Sequence, residues 1–169
     1  MSHYDDYIKS ITYDELIGLF DSLDTALVYI GGDWCYHCNN VIGIVVEEAK
    51  KYKLDHILNY DPVFTNIYGE KEDLRDCKSL EIKLKYYAIV EKSHFKSTEL
   101  VRDTLIPRIH VPFFMAIRNG TCVGYYTIEL IEENGILHEI NDIVDQTEEF
   151  RQNIDNLISK LKFDDIFSK

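Results

Sequence analysis

The chain has 169 residues, 46% hydrophobic and 28% charged, which is the ordinary globular range and excludes disordered and collagen-like classes. Its 18 Lys and Arg against 30 Asp and Glu leave a net charge of −12, so a dedicated surface for nucleic acid or an anionic membrane, each needing positive counter-charge, is not expected. No stretch approaches the roughly 18 consecutive apolar residues of a membrane span. The acidic start Met1-Ser2-His3-Tyr4-Asp5-Asp6 is unlike a secretory leader. A cytoplasmic location is therefore expected, where thiols are held reduced. Four cysteines in a chain of this length are then no disulfide framework and need another use.

In chain order, Thr12-Tyr13-Asp14-Glu15 is a capping-box pattern that opens a short helix, with Leu16, Ile17, Leu19, Phe20 and Leu23 apolar. Ala26–Ile30 reads as a buried strand ending at Gly31-Gly32. From about Tyr36 the period turns helical, with Cys38, Val41, Ile42, Val45, Val46, Ala49 and Tyr52 on one broad face. A second strand, His56–Asp61, stops at Pro62. Glu70–Glu91 reads as a charged helix with Leu74, Cys77, Leu80, Leu84, Tyr87 and Ala88 inward, and Ser97–Leu105 as another short helix. Beyond Pro107 the period becomes two: a strand over Phe113–Ile117, the hairpin signal Asn119-Gly120 and a return strand Thr121–Ile128. A polar loop with Asn134-Gly135 then leads to a helix near Asp145–Lys162. The order implies an α/β fold, a mixed central sheet with helices on both faces. No repeat or linker divides the chain, so one domain over 1–169 is expected, with a helical insertion at about 66–105.

Trp34-Cys35-Tyr36-His37-Cys38 sits where a strand turns into a helix. Two intervening residues let both sulfurs meet within one helical turn, with Cys35 exposed at the helix start and Cys38 one turn inward. The unpaired N–H groups and positive dipole end of that helix favour a thiolate. An exposed, low-pKa sulfur with a second thiol in reach is what thiol–disulfide exchange needs. Half of a zinc site is the competing reading. Structural zinc takes four ligands, usually as two close pairs, and Cys77 and Cys122 are far apart and unpaired in the sequence. No metal is expected, and those two cysteines read as small core residues. The Tyr86-Tyr87 and Tyr125-Tyr126 pairs read as aromatic packing.

The strand Leu27–Ile30, the Trp34–Cys38 segment, Val111-Pro112-Phe113 and Asn119-Gly120 together resemble the thioredoxin-like superfamily. The resemblance spans about residues 12–62 and 107–162. It implies a cis proline at Pro112 packed against Cys35 and Cys38, with the Val111 backbone pairing with a bound substrate strand and Trp34 and Tyr36 facing that substrate. It implies Cys35 as nucleophile and Cys38 as the resolving thiol. His37, immediately before Cys38, matches the Cys-x-His-Cys pattern of disulfide isomerases; its imidazolium would stabilise the Cys35 thiolate and make the pair more oxidising. The chain departs from the family at Tyr29, where many members carry a buried acid, and at Gly43, where many have a helix-kinking proline. It also departs in its long segment before Pro112, expected to be a helical cap that restricts access to Cys35. His110, two residues before Pro112, is a further candidate for facing the site.

These features imply a thiol–disulfide oxidoreductase acting on disulfide- or dithiol-containing protein substrates. It would need no cofactor beyond the Cys35–Cys38 redox pair, and a reductase or low-molecular-weight thiol would restore it. The alternative is a thioredoxin-fold accessory protein that holds a partner through the 66–105 insertion, with little redox turnover.

Overall fold

The computed structural model describes residues 6–127, 131–133, 136–138 and 144–162; the expected loop at Asn134-Gly135 and the end of the return strand, Ile128, lie outside them. Five strands form the central sheet: β1 (Ile8–Ile11), β2 (Ala26–Ile30), β3 (Ile57–Tyr60), β6 (Phe113–Arg118) and β7 (Thr121–Thr127), in the order β1-β3-β2-β6-β7. Strand β3 runs parallel to both β1 and β2, whereas β2–β6 and β6–β7 are antiparallel. Two small hairpins, β4 (Val63–Thr65) with β5 (Lys71–Asp73) and β8 (Ile131–Glu133) with β9 (Ile136–His138), stand apart from it. Helices α2 (Tyr36–Lys51) and α4 (Val144–Ser159) pack on one face, and α1 (Tyr13–Phe20) and α3 (Leu80–Ser93) on the other. This is the mixed α/β, thioredoxin-like arrangement that the sequence implies.

Period-two side-chain alternation builds both cores from the same strands. Leu27, Tyr29, Phe114 and Ala116 face α2 and α4, while Val28, Ile30, Phe113, Met115 and Ile117 face α1 and α3. Each fully buried Phe, Leu or Ile contributes on the order of 1.5–3 kcal/mol. A one-residue slip in β2 or β6 would exchange the two faces, so the register is tightly specified. The capping box opens α1 as expected, with Thr12 accepting from Glu15 N and Glu15 from Thr12 N. At the hairpin tip Asn119 and Gly120 both take positive φ, 53° and 79°, as a type I′ turn requires. Cys122 pairs opposite Ile117.

Three sequence expectations are corrected. Strand β1, which lies on the outer edge beside β3, precedes the first element read from the sequence. Glu70–Glu91 is not one helix. Residues 63–73 form the β4–β5 hairpin, a 3₁₀ turn follows at Leu74–Asp76, Cys77 takes a left-handed φ of 53°, and Ser79 caps a fresh helix by accepting from Ile82 N. That restart shifts the helical phase. Tyr86, Ile89 and Val90 are buried, and the supposed inward residues Leu80, Leu84 and Tyr87 are 72%, 59% and 47% exposed. Ser97–Leu105 is no helix either; Val101 N bonds Ile106 O and Arg108 N bonds Glu99 O, folding the segment back on itself around a Leu100–Pro107 bridge. Among the described residues no helix is long and apolar enough to cross a membrane.

Candidate functional site

The site forms where β2 ends and α2 begins. Gly31 N donates to Tyr60 O at the end of β3, and Cys35 N to Gly32 O, which folds the chain into the helix start. Cys35 is the N-cap of α2, extended at φ −92° and ψ 111°, and its Sγ accepts from Cys38 N at 3.2 Å. A sulfur in the position of a capping oxygen receives one of the helix's unpaired N–H groups, so a thiolate there is stabilised by that donor and by the dipole. The two sulfurs are bonded to each other, with Cα atoms 5.2 Å apart. Cys38 is fully buried, and Cys35, expected to be exposed, is only 6% accessible. The correction has a tertiary cause: Cys35 joins the core cluster of α2 and α4, and the Val111 carbonyl stands 4.0 Å from its sulfur. Trp34 and Tyr36 on either side are 47% and 65% exposed and form the open rim.

The Val111–Pro112 peptide is cis, and Pro112 is buried at the entry to β6. The Thr127 hydroxyl lies 3.0 Å from both the His110 and Pro112 carbonyls and ties this loop to β7. His37 is partly exposed, its ring 6.0 Å from that of Tyr36. His110 does not turn toward the cysteines; its Nε2 pairs with Glu99 Oε2 at 2.7 Å. Helix α2 runs continuously through Gly43.

Tyr29 occupies the expected acid position. A Cβ built on Gly31 would fall 2.8 Å from the Tyr29 hydroxyl and 2.7 Å from Cys38 Sγ, so hydroxyl and sulfur flank the same small gap. Burial, and secondarily the charges of Asp33 and Asp61, push the Tyr29 phenol well above its usual range. The group is thus neutral at ordinary pH and able to donate a hydrogen bond, not to act as a base. Burial likewise raises the Cys77 and Cys122 thiols, which disfavours their thiolate forms. Among the described residues no group of three or more His, Cys, Asp and Glu side chains converges as a metal cage.

Two site residues escaped the sequence reading. Asp61 Oδ1 accepts from Trp34 Nε1 at 2.9 Å and from Val63 N at 2.9 Å, holding the indole beside Cys35. Its only sequence signal is its place between strand β3 and Pro62. Arg75 places its guanidinium carbon over the Trp34 ring, 5.8 Å from the centroid, and donates to Ile109 O at 3.0 Å. Its link to the site is not legible locally, because Trp34 and Ile109 are 41 and 34 positions away in the numbering, although its anchor Asp73 is only two residues before it.

No protein-family model matches the chain, and no curated protein matches it in sequence. Solved structures similar to it include three thioredoxins. Thioredoxin f from spinach chloroplast aligns over 72% of this chain and 75% of its own at 15% identity and a TM-score of 0.39. Thioredoxin o2 from Arabidopsis thaliana, in its oxidised state, aligns over 76% and 88% at 14% identity and a TM-score of 0.39. A Plasmodium falciparum thioredoxin aligns over 84% and 98% at 12% identity and a TM-score of 0.37. Likeness at this level bears on neither substrate nor activity. The chemistry has to be read from the residues of the chain itself.

Proposed function

We propose that this chain is a thiol–disulfide oxidoreductase that exchanges disulfides with protein substrates through Cys35 and Cys38. The observation that carries the reading is the capping geometry: Cys35 Sγ receives the Cys38 N–H at the start of a sixteen-residue helix, and the partner sulfur lies within bonding reach. In the reduced protein the Cys35 thiolate attacks one sulfur of a substrate disulfide. The other substrate sulfur leaves as a thiolate and takes a proton. Cys38 then gives up its proton and attacks Cys35 Sγ, releasing the second substrate thiolate and closing the Cys35–Cys38 bond. Two electrons pass to the substrate, and a reductase or low-molecular-weight thiol returns them; the reverse sequence oxidises a substrate dithiol. The protein's only redox group in this scheme is the cysteine pair. Trp34 and Tyr36 form the exposed rim that a substrate meets, the Val111 backbone pairs with its chain, Pro112 fixes the loop carrying Val111, and His37 biases Cys35 toward the thiolate.

The test is mixed-disulfide trapping. Cys38→Ser should accumulate adducts with client proteins and Cys35→Ser should not, and insulin-disulfide reduction by dithiothreitol should require both cysteines. Retained activity in the double variant would end this reading.

One observation favours a second reading, a partner-holding protein with little turnover: Leu80, Leu84 and Tyr87 lie exposed along one side of α3. Under that reading a partner captured by the wild type is kept by the Cys35→Ser, Cys38→Ser double variant and lost by Leu84→Glu. Under the exchange reading the cysteine changes abolish capture.

A further inference from the structure

We infer that Arg75 is a positioning residue of the exchange site, through which the segment between β3 and β6 sets how a polypeptide disulfide docks at Cys35. The inference rests on the exchange reading and assigns that segment a direct part in it. Arg75 is 9% exposed, a low value for a charged side chain. Its Nε and Nη2 grip the two oxygens of Asp73 at 3.1 and 2.8 Å, and Asp73 Oδ1 also accepts from Arg75 N. That fork leaves Nη1 aimed at a single acceptor, the Ile109 carbonyl, at 3.0 Å. The guanidinium carbon lies over the Trp34 ring, 5.8 Å from its centroid, within cation–π range.

One side chain thus joins three segments. It is anchored in the β5–3₁₀ corner, it covers the indole that directly precedes Cys35, and it holds the backbone two residues before Val111, whose carbonyl approaches the Cys35 sulfur. The Ile109 N–H on the same residue is taken by the Tyr86 hydroxyl of α3 at 2.7 Å, so both backbone groups of Ile109 are held by side chains from this segment. A planar, permanently charged fork supplies two directed partners and a stacking face at once, which a lysine ammonium does not. The elements so held, the indole and the Val111 backbone, are those an extended substrate chain would lie across. A small disulfide needs only the sulfur. Arg75 is therefore required for polypeptide disulfides and dispensable for small ones.

The experiment compares Arg75→Lys and Arg75→Met with wild type on insulin and on 5,5′-dithiobis(2-nitrobenzoate), with emission from Trp34, the only tryptophan, as an independent readout. Both variants should lose about tenfold or more in kcat/KM on insulin, mainly through KM, stay within about twofold on the small disulfide, and shift Trp34 emission. Lysine should not rescue. Should Arg75→Met fail to fold by circular dichroism, Asp73→Asn, which weakens the anchor and keeps the guanidinium, replaces it and should show the same split. Variants that keep insulin kinetics within about twofold of an active wild type overturn the inference alone, as does an equal loss on both substrates. A folded wild type inactive on both substrates overturns the exchange reading itself, and this inference with it.

Discussion

Replacing Gly31 by Ala tests the tightness of the site where Tyr29 and Cys38 meet. Gly31 is not among the glycines with a positive φ, which are Gly69 and Gly120, so alanine meets no left-handed backbone strain there and the effect is steric. Its methyl would lie 2.6 Å from Tyr29 Cε1, 2.7 Å from Cys38 Sγ and 2.8 Å from the Tyr29 hydroxyl. Ordinary heavy-atom contacts are about 3.5–4.0 Å, so each neighbour must yield by roughly 1 Å. The tyrosine cannot swing away freely, because its ring stacks on the fully buried Phe114 at 5.5 Å. In the oxidised protein Cys38 cannot rotate either, since its sulfur is tied to Cys35. Overpacking of this kind costs about 1–3 kcal/mol. Reduction frees the Cys38 sulfur and relieves about one of the three contacts, leaving the oxidised form worse off by roughly 0.3–1 kcal/mol. With about 1.4 kcal/mol corresponding to 30 mV, the potential should become less negative by about 6–20 mV. Urea unfolding of both redox forms, with the potential measured against dithiothreitol, reads both effects. Equal destabilisation of the two forms with an unchanged potential would refute the steric role assigned to Cys38, and a loss below about 0.5 kcal/mol would refute the packing argument.

Glu48, 1% exposed, links α2 to α4 by accepting from Lys51 and Arg151 at 2.8 Å each. Burial pushes its carboxyl up, but those hydrogen bonds outweigh burial and hold it below the usual carboxylate value. Its contribution is therefore complete above the ordinary pKa of about 4.3 and lost as pH falls through the lowered one. Glu48→Gln should cost about 1–3 kcal/mol near neutral pH, and the urea midpoints of the two proteins should converge in acid; a gap independent of pH would refute the ionic account. Tyr29→Phe should slow resolution by Cys38 about tenfold, the value of a hydrogen bond to a charged acceptor, as read from stopped-flow Trp34 fluorescence; an unchanged rate removes the hydroxyl from the mechanism. His37→Pro should make the potential more negative by roughly 10–45 mV, because only the reduced state carries the thiolate that an imidazolium stabilises. A variant that is equally or more oxidising makes His37 a bystander.

The features legible in the sequence are those governed by neighbours a few positions apart. The Thr12 capping box, the alternation along β2 and β6, the Asn119-Gly120 turn and the Cys35–Cys38 spacing at a strand-to-helix junction are local, and each is found where the pattern indicates. Periodicity misassigned residues 70–79 and 97–105 and the buried face of α3. A left-handed residue at Cys77 and a new cap at Ser79 reset the helical phase, and neither leaves a hydrophobic signature. Only the folded chain decides that Cys35 is covered, because the Val111 carbonyl reaches it from a loop 76 residues away. The same holds for the grip of Asp61 and Arg75 on Trp34 and for the turn of His110 toward Glu99. The sequence thus determined the Cys35–Cys38 pair and the strands and helices that carry it, since hydrogen-bond period and residue spacing act within a few residues. The environment of that pair was decided by tertiary structure, since charge, burial and packing act through space between segments that meet only when the sheet forms.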